Sequence, residues 1–161
     1  MEMRLELVVL PVSDVDRAKA FYRSAGFRED LDYAAGADFR VVRLTPPGSA
    51  ASIVFGTGVT AERPGSAQGL HLLVPDVEAA ICALREAGVE VTDVFHDLGG
   101  VFYHHSPEYE VPGPDPGKRE GATFARFADP DGNGWVLQEQ GSREPIASAW
   151  RAAVPPRSGA A

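Results

Sequence analysis

Residues 10–26 read LPVSDVDRAKAFYRSAG and residues 72–88 read LLVPDVEAAICALREAG. At a constant offset of 62 positions, eight of these 17 residues are identical, among them Asp14/Asp76, Arg23/Arg85 and Gly26/Gly88. Small apolar residues match by chance, but an aligned Asp, Arg and Gly mark the two ends of one repeated helix. A repeat of this kind decides the architecture before any single element is assigned. In each copy a short run of branched apolar residues comes first, residues 5–12 and 70–74, as expected of strands. Ser13 and Asp76 follow as N-cap candidates, and Ser13 with Asp16 has capping-box spacing. Val15, Ala18, Phe21, Tyr22 and Ala25 then form one helical stripe; Val77, Ala80, Ile81, Leu84 and Ala87 form the other. Gly26 and Gly88 stand where a left-handed C-terminal cap belongs.

Outward from each helix the pattern changes to strands and turns. The first copy continues with expected strands at 28–33, 39–44 and 51–55, and the second with strands at 90–96, 101–104, 122–128 and 134–139. Asp129-Pro130-Asp131-Gly132-Asn133 is the turn before the last strand. The chain therefore reads as β-α-β-β-β twice. One domain spans residues 1–140, with module 1 at about 4–56, a linker at 57–68 and module 2 at about 69–140. Residues 105–121 carry four prolines and read as an irregular loop, and residues 141–161 as a C-terminal tail.

Composition narrows the function classes. The chain has 161 residues, a formal net charge of −8 and 44% apolar residues, ordinary globular usage for a single domain. An acidic chain is a poor phosphate binder, so no nucleic-acid partner is expected. No apolar run reaches membrane-spanning length and no signal peptide is evident, so the expected setting is cytoplasmic, with no membrane partner. Cys82 is the single cysteine, which excludes an intrachain disulfide. Its place in the second helix suggests a buried small hydrophobe. Lys118-Arg119-Glu120 reads as a solvated loop cluster.

The doubled β-α-β-β-β plan, with Ser13-Asp14-Val15-Asp16-Arg17-Ala18-Lys19-Ala20-Phe21-Tyr22 in its first copy and Asp129-Pro130-Asp131-Gly132-Asn133 before its last strand, resembles the vicinal oxygen chelate superfamily. That group includes glyoxalase I, extradiol dioxygenases, fosfomycin-modifying enzymes and bleomycin-resistance proteins. The resemblance covers about residues 5–140. It implies an α+β fold in which two modules form an open, cup-shaped mixed sheet with the helices outside, and it implies a homodimer. It also implies a divalent metal held in the cup by His and Glu. The matching positions here are Leu7, Gly69 and Val136, none of which offers a side-chain lone pair, and no His, Glu or Asp lies at 52–55. Shifting the register by one or two residues brings Glu6, His71 or Gln138 to single positions without completing a ligand set. The expectation is no metal at the usual site and no cofactor.

Other residues remain candidates. His71 lies two residues after Gly69 and Gln138 two after Val136, so strand alternation turns both toward the cup. There they could orient a ligand, or His71 could act as acid/base; a core histidine bonded to backbone is the alternative. His104 and Phe102, with Phe95 and Tyr103, suggest either a ligand-stacking wall or ordinary core. Phe55 is a further ligand-binding candidate. His71, His96 and His104 could instead form a non-standard metal site. Three functions stay open: sequestration of a hydrophobic or aromatic small molecule, a lyase, isomerase or dioxygenase-like enzyme using His71, and a partner-binding dimer contacting through 105–121.

Overall fold

Both helices begin and end by the same chemistry, 62 residues apart. In α1 (Val15–Ser24) the Asp14 carboxylate accepts from the Arg17 N–H at 2.9 Å; in α2 (Val77–Glu86) that of Asp76 accepts from the Ala79 N–H at 2.9 Å. These bonds satisfy N–H groups that have no partner inside the first turn. At the other end Gly26 and Gly88 adopt φ of +91° and +83°, which lets the following residues, Phe27 and Val89, donate back to Tyr22 O and Leu84 O. Only glycine enters that region without a side-chain penalty. The first cap is thus Asp14, and not Ser13 as the capping-box spacing suggests. Ser13 instead directs both its N–H and its hydroxyl to the carboxylate of Asp131.

This computed structural model describes residues 1–100 and 103–140. The remaining strands are β1 (Leu7–Val9), β2 (Arg28–Ala35), β3 (Phe39–Thr45), β4 (Ser52–Thr57), β5 (Leu70–Val74), β6 (Phe95–Asp97), β7 (Glu110–Pro112), β8 (Thr123–Ala128) and β9 (Gly134–Glu139). They form two sheets, ordered β1-β4-β3-β2 and β5-β9-β8-β6-β7. Numbered within its own copy, each sheet runs first-fourth-third-second strand, so the duplicated sequence gives a duplicated topology, with β7 added outside β6. In the first sheet β1 pairs parallel with β4 while β2, β3 and β4 pair antiparallel. The fold class is α+β, with two α-helices and two open sheets among the described residues.

Several expectations shift. The loop 105–121 contains a short 3-10 turn, Pro107–Tyr109, and the edge strand β7, which pairs antiparallel with β6. Residues 103 and 104 are not strand, and the rest of the strand expected at 101–104 lies outside the described residues, as does the tail from residue 141. Cys82 is exposed: it sits one residue past buried Ile81, about 100° around the helix from the apolar stripe. Arg119 is no free loop charge, for it grips the buried carboxylate of Asp115 with Nε at 3.1 Å and Nη2 at 2.6 Å.

The chain resolves into two compact units that do not follow the module boundary. The first comprises Met1–Leu70, Ala83–Val91 and Arg126–Trp135; the second comprises His71–Cys82, Thr92–Ala125 and the chain from Val136. In the first unit Tyr22, Phe27, Phe55 and Trp135 pack with ring centroids 5.2–6.1 Å apart, and Trp135 stacks on Phe127 at 6.0 Å. The Tyr22 hydroxyl donates to Asp129 Oδ2 at 2.9 Å and accepts the Trp135 indole N–H at 3.1 Å. Burial, and next the Asp129 carboxylate, push the Tyr22 phenol well above its ordinary range, so it remains a donor. Asp129 also accepts from the N–H groups of Asp131 and Asn133, and Asn133 Nδ2 ties the turn to Pro11 O at 3.0 Å. The Asp-rich turn is therefore a buried polar clamp on α1. In the second unit Phe95, Phe124 and Val136 form the core, with Tyr103 packed against them.

Candidate functional site

In the first unit one side of the sheet lies under α1 and the other does not. Val42, Leu44, Ile53 and Phe55 are buried, and Lys19 and Asp16 of α1 pair with Asp32 and Arg40 on that same side. The register places Leu7, Val9, Leu31, Tyr33 and Phe39 on the opposite side, where they are 36–55% exposed. Phe55, a candidate for ligand contact, alternates onto the helix side, is fully buried, and packs 5.8 Å from Tyr22. Sequence alternation alone could not tell which face of β4 the helix covers.

Polar residues close one end of that apolar face. Arg43 Nε donates to Ser52 Oγ at 2.9 Å, Ser52 and Thr45 hydroxyls are 2.8 Å apart, and Thr45 Oγ1 donates to Asp30. The Thr45 hydrogen bond, and next that of Arg28, hold the Asp30 carboxyl below its usual range. These residues border a recess of about 530 Å³ that also touches Leu31 of the apolar row. None of them was a sequence candidate. Their partners come from three strands and a β-bulge between Glu29 and Leu31, and only the folded register brings them together.

The second unit carries the histidines. His71 is exposed on β5, and its Nδ1 lies 3.2 Å from Gln138 Oε1 on β9. Gln138 Nε2 donates to Gly121 O at 2.8 Å, so its Oε1 is the acceptor for His71 and Nδ1 carries the hydrogen. This leaves His71 Nε2 as the basic nitrogen. Tyr103 packs edge-on at 5.7 Å from the His71 ring and covers Phe95 and Phe124 at 6.2 and 5.6 Å. His71, Gln138, Tyr103 and the Phe95–Phe124–Val136 cluster thus meet in one place, while Phe102 lies outside the described residues. His104 goes elsewhere. Its Nδ1 pairs with Asp97 at 2.8 Å, Asp97 is buried and also accepts the N–H groups of Gly99 and His104, and the His104 ring stacks on Tyr109 at 4.2 Å. His96 uses Nδ1 on Gly113 O at 2.9 Å.

The donor chemistry decides whether a divalent ion suits the usual positions. Leu7 sits on the exposed apolar face, Gly69 precedes β5, and Val136 is buried among phenylalanines; none can supply a nitrogen or oxygen ligand. The residues present do not fit the metal. Nor are His71, His96 and His104 brought together as a substitute. Among the described residues no group of three His, Cys, Asp or Glu side chains is placed to hold an ion. No helix among them is long and apolar enough to cross a membrane.

Residues 4–137 match the model of the Glyoxalase/Bleomycin resistance protein/Dioxygenase superfamily. Among solved structures the chain is similar to TnmS3, an antibiotic binding protein from Streptomyces sp. CB03234, at 31% identity and a TM-score of 0.61, over 86% of this chain and 97% of that one. A glyoxalase/bleomycin resistance protein from the same organism matches at 32% identity and a TM-score of 0.59, over 84% and 100%. A superfamily member from Sphaerobacter thermophilus DSM 20745 matches at 26% identity and a TM-score of 0.62, over 86% and 98%. No curated protein matches the chain. With the duplicated topology, the repeated helix caps and a family match over most of its length, this chain belongs to the Glyoxalase/Bleomycin resistance protein/Dioxygenase superfamily.

Proposed function

We propose that the protein sequesters a hydrophobic, aromatic small molecule without using a metal. The observation that carries this reading is the side of the first sheet away from α1, where Leu7 and Val9 on one edge strand, Leu31 and Tyr33 on the other, and Phe39 are exposed, an apolar face on which one aromatic ligand can lie. Leu7 on that face occupies a position where the family places a metal ligand, so apolar contact replaces coordination. The likeness at 31% identity to an antibiotic binding protein supports the same chemistry. The proposal includes a cytoplasmic homodimer, which sedimentation would size at twice 17.2 kDa. Titration calorimetry with an anthraquinone and an anthracycline tests the binding. Stoichiometric binding, with the ligand recovered unchanged and affinity indifferent to chelator, is the expected result. Chemical turnover of the ligand, or a divalent ion whose removal abolishes binding, would overturn it.

One observation favours a second reading, an enzyme. The Gln138 amide fixes His71 with its hydrogen on Nδ1, which leaves Nε2 ready to take a proton from a substrate held beside Tyr103. Turnover that survives His71→Ala would remove that role.

A further inference from the structure

We infer that Arg43 is the specificity group of the apolar face in the first unit, and that it selects aromatic ligands bearing an anionic oxygen substituent such as a carboxylate. The inference rests on the sequestration reading above and names the ligand class for that same face.

The direction of the hydrogen bonds carries it. Thr45 Oγ1 gives its hydrogen to Asp30, so the 2.8 Å contact between Ser52 and Thr45 needs the Ser52 hydroxyl as donor. Ser52 Oγ is then free to accept from Arg43 Nε at 2.9 Å. Every hydrogen in the chain Arg43–Ser52–Thr45–Asp30 points toward the Asp30 carboxylate. The two hydroxyl residues are 3% and 7% exposed, so this is a buried relay and not a surface tangle. Its effect is to fix the plane of the guanidinium by its inner edge.

What remains of Arg43 is at the outer edge. Its Nη2 donates to Glu6 at 2.7 Å, but the Glu6 side chain is 70% exposed, and a pair so open to water is weak. Among the described residues Nη1 has no protein partner. The register puts Arg43 opposite both Val54 and Leu31, on the face that carries Leu7 and Val9. Arg43 and Leu31 both border the 530 Å³ recess, a volume within the range of small-molecule sites. An apolar face with a fixed cation standing within it, between Leu31 and Val54, matches a ring system with one acidic oxygen group. A planar guanidinium meets such a group through parallel N–H donors, which an ammonium does not reproduce.

Anthraquinone-2-carboxylate and anthraquinone-2-carboxamide share a ring system and differ in charge, so their affinity ratio reads the preference for an anion, and its change in Arg43 variants reads the contribution of Arg43. In the full chain we expect the carboxylate to bind at least about tenfold more tightly, about 1.4 kcal/mol. Arg43→Gln should bring the ratio near one by weakening the carboxylate far more than the amide. Arg43→Lys should give an intermediate ratio, and Ser52→Ala should lower it by loosening the guanidinium. Retained amide binding in each variant shows that the face has not collapsed. Equal affinities in the wild type, or a ratio unchanged in Arg43→Gln, would overturn the inference and leave sequestration standing. Failure of both probes to bind would overturn both.

Discussion

The Tyr22 hydroxyl and the Asp129 carboxylate, 107 positions apart in sequence, meet at 2.9 Å inside the first unit. The same phenol oxygen takes the Trp135 indole N–H, and the same carboxylate holds the backbone of its own turn. A helix from the first copy of the repeat and a turn from the second are joined through one hydroxyl group.

Tyr22→Phe removes that hydroxyl and leaves the ring. It strands a buried indole N–H and one lone pair of Asp129, and so should cost about 1–3 kcal/mol. Urea unfolding should show the midpoint lowered with the slope unchanged. A midpoint equal to wild type would mean that the clamp contributes nothing.

Gly56→Ala should be at least as damaging, for a different reason. A Cβ at Gly56 would stand 1.8 Å from the Arg40 carbonyl oxygen, a backbone atom in the pairing of β3 with β4. The strands must part to admit it, at a cost of roughly 1–3 kcal/mol. Hydrogen exchange at Val41 and Val42 would report the opening, and unchanged protection there would contradict it.

Acid should weaken the second unit through Asp115. Its bidentate contact with Arg119 holds the carboxyl down to about 2, against an ordinary value of 3.8. Because the folded value is the lower one, the stabilisation is complete above about pH 4 and fades as pH falls through 2. Asp115→Asn should flatten the acid limb of a stability profile between those values. An identical limb in the variant would assign acid sensitivity to other carboxylates.

The tautomer of His71 is directly measurable. Long-range 15N–1H correlation should show its hydrogen on Nδ1 at pH 8, where a free imidazole favours Nε2. Gln138→Met removes the amide acceptor and should return His71 to the ordinary tautomer. A wild-type protein with the hydrogen on Nε2 would contradict the 3.2 Å contact as described.

The repeat made the helices readable because both copies solve the same local problem. Asp14 and Asp76 satisfy the first turn, while Gly26 and Gly88 release the last, and local chemistry of this kind is written in a few adjacent residues. The strands 70–74 and 134–139 are readable because each is a short apolar run bounded by turn residues. Ser13 has the residue type and spacing of a cap, but its partner, Asp131, is 118 residues away. Cys82 is exposed although it neighbours the apolar stripe, because one step along a helix separates the stripe from solvent. For the candidate site, His71 and Gln138 were accessible to alternation on two flat strands, and they do meet. Arg43, Ser52, Thr45 and Asp30 were not, since their meeting depends on cross-strand register and on a bulge that no local pattern announces.

The first unit draws on Arg126–Trp135, and this has a bearing on how the chain is born. A ribosome adds about 5–20 residues per second, so Tyr22 waits roughly 5–20 s after its own synthesis before Asp129 exists. Through that interval α1 and its four-stranded sheet lack the Phe127–Trp135 stack and the Asp-rich clamp that complete their core. The first unit can therefore complete its core only once Trp135 has left the exit tunnel, when nearly all of the described chain has been made.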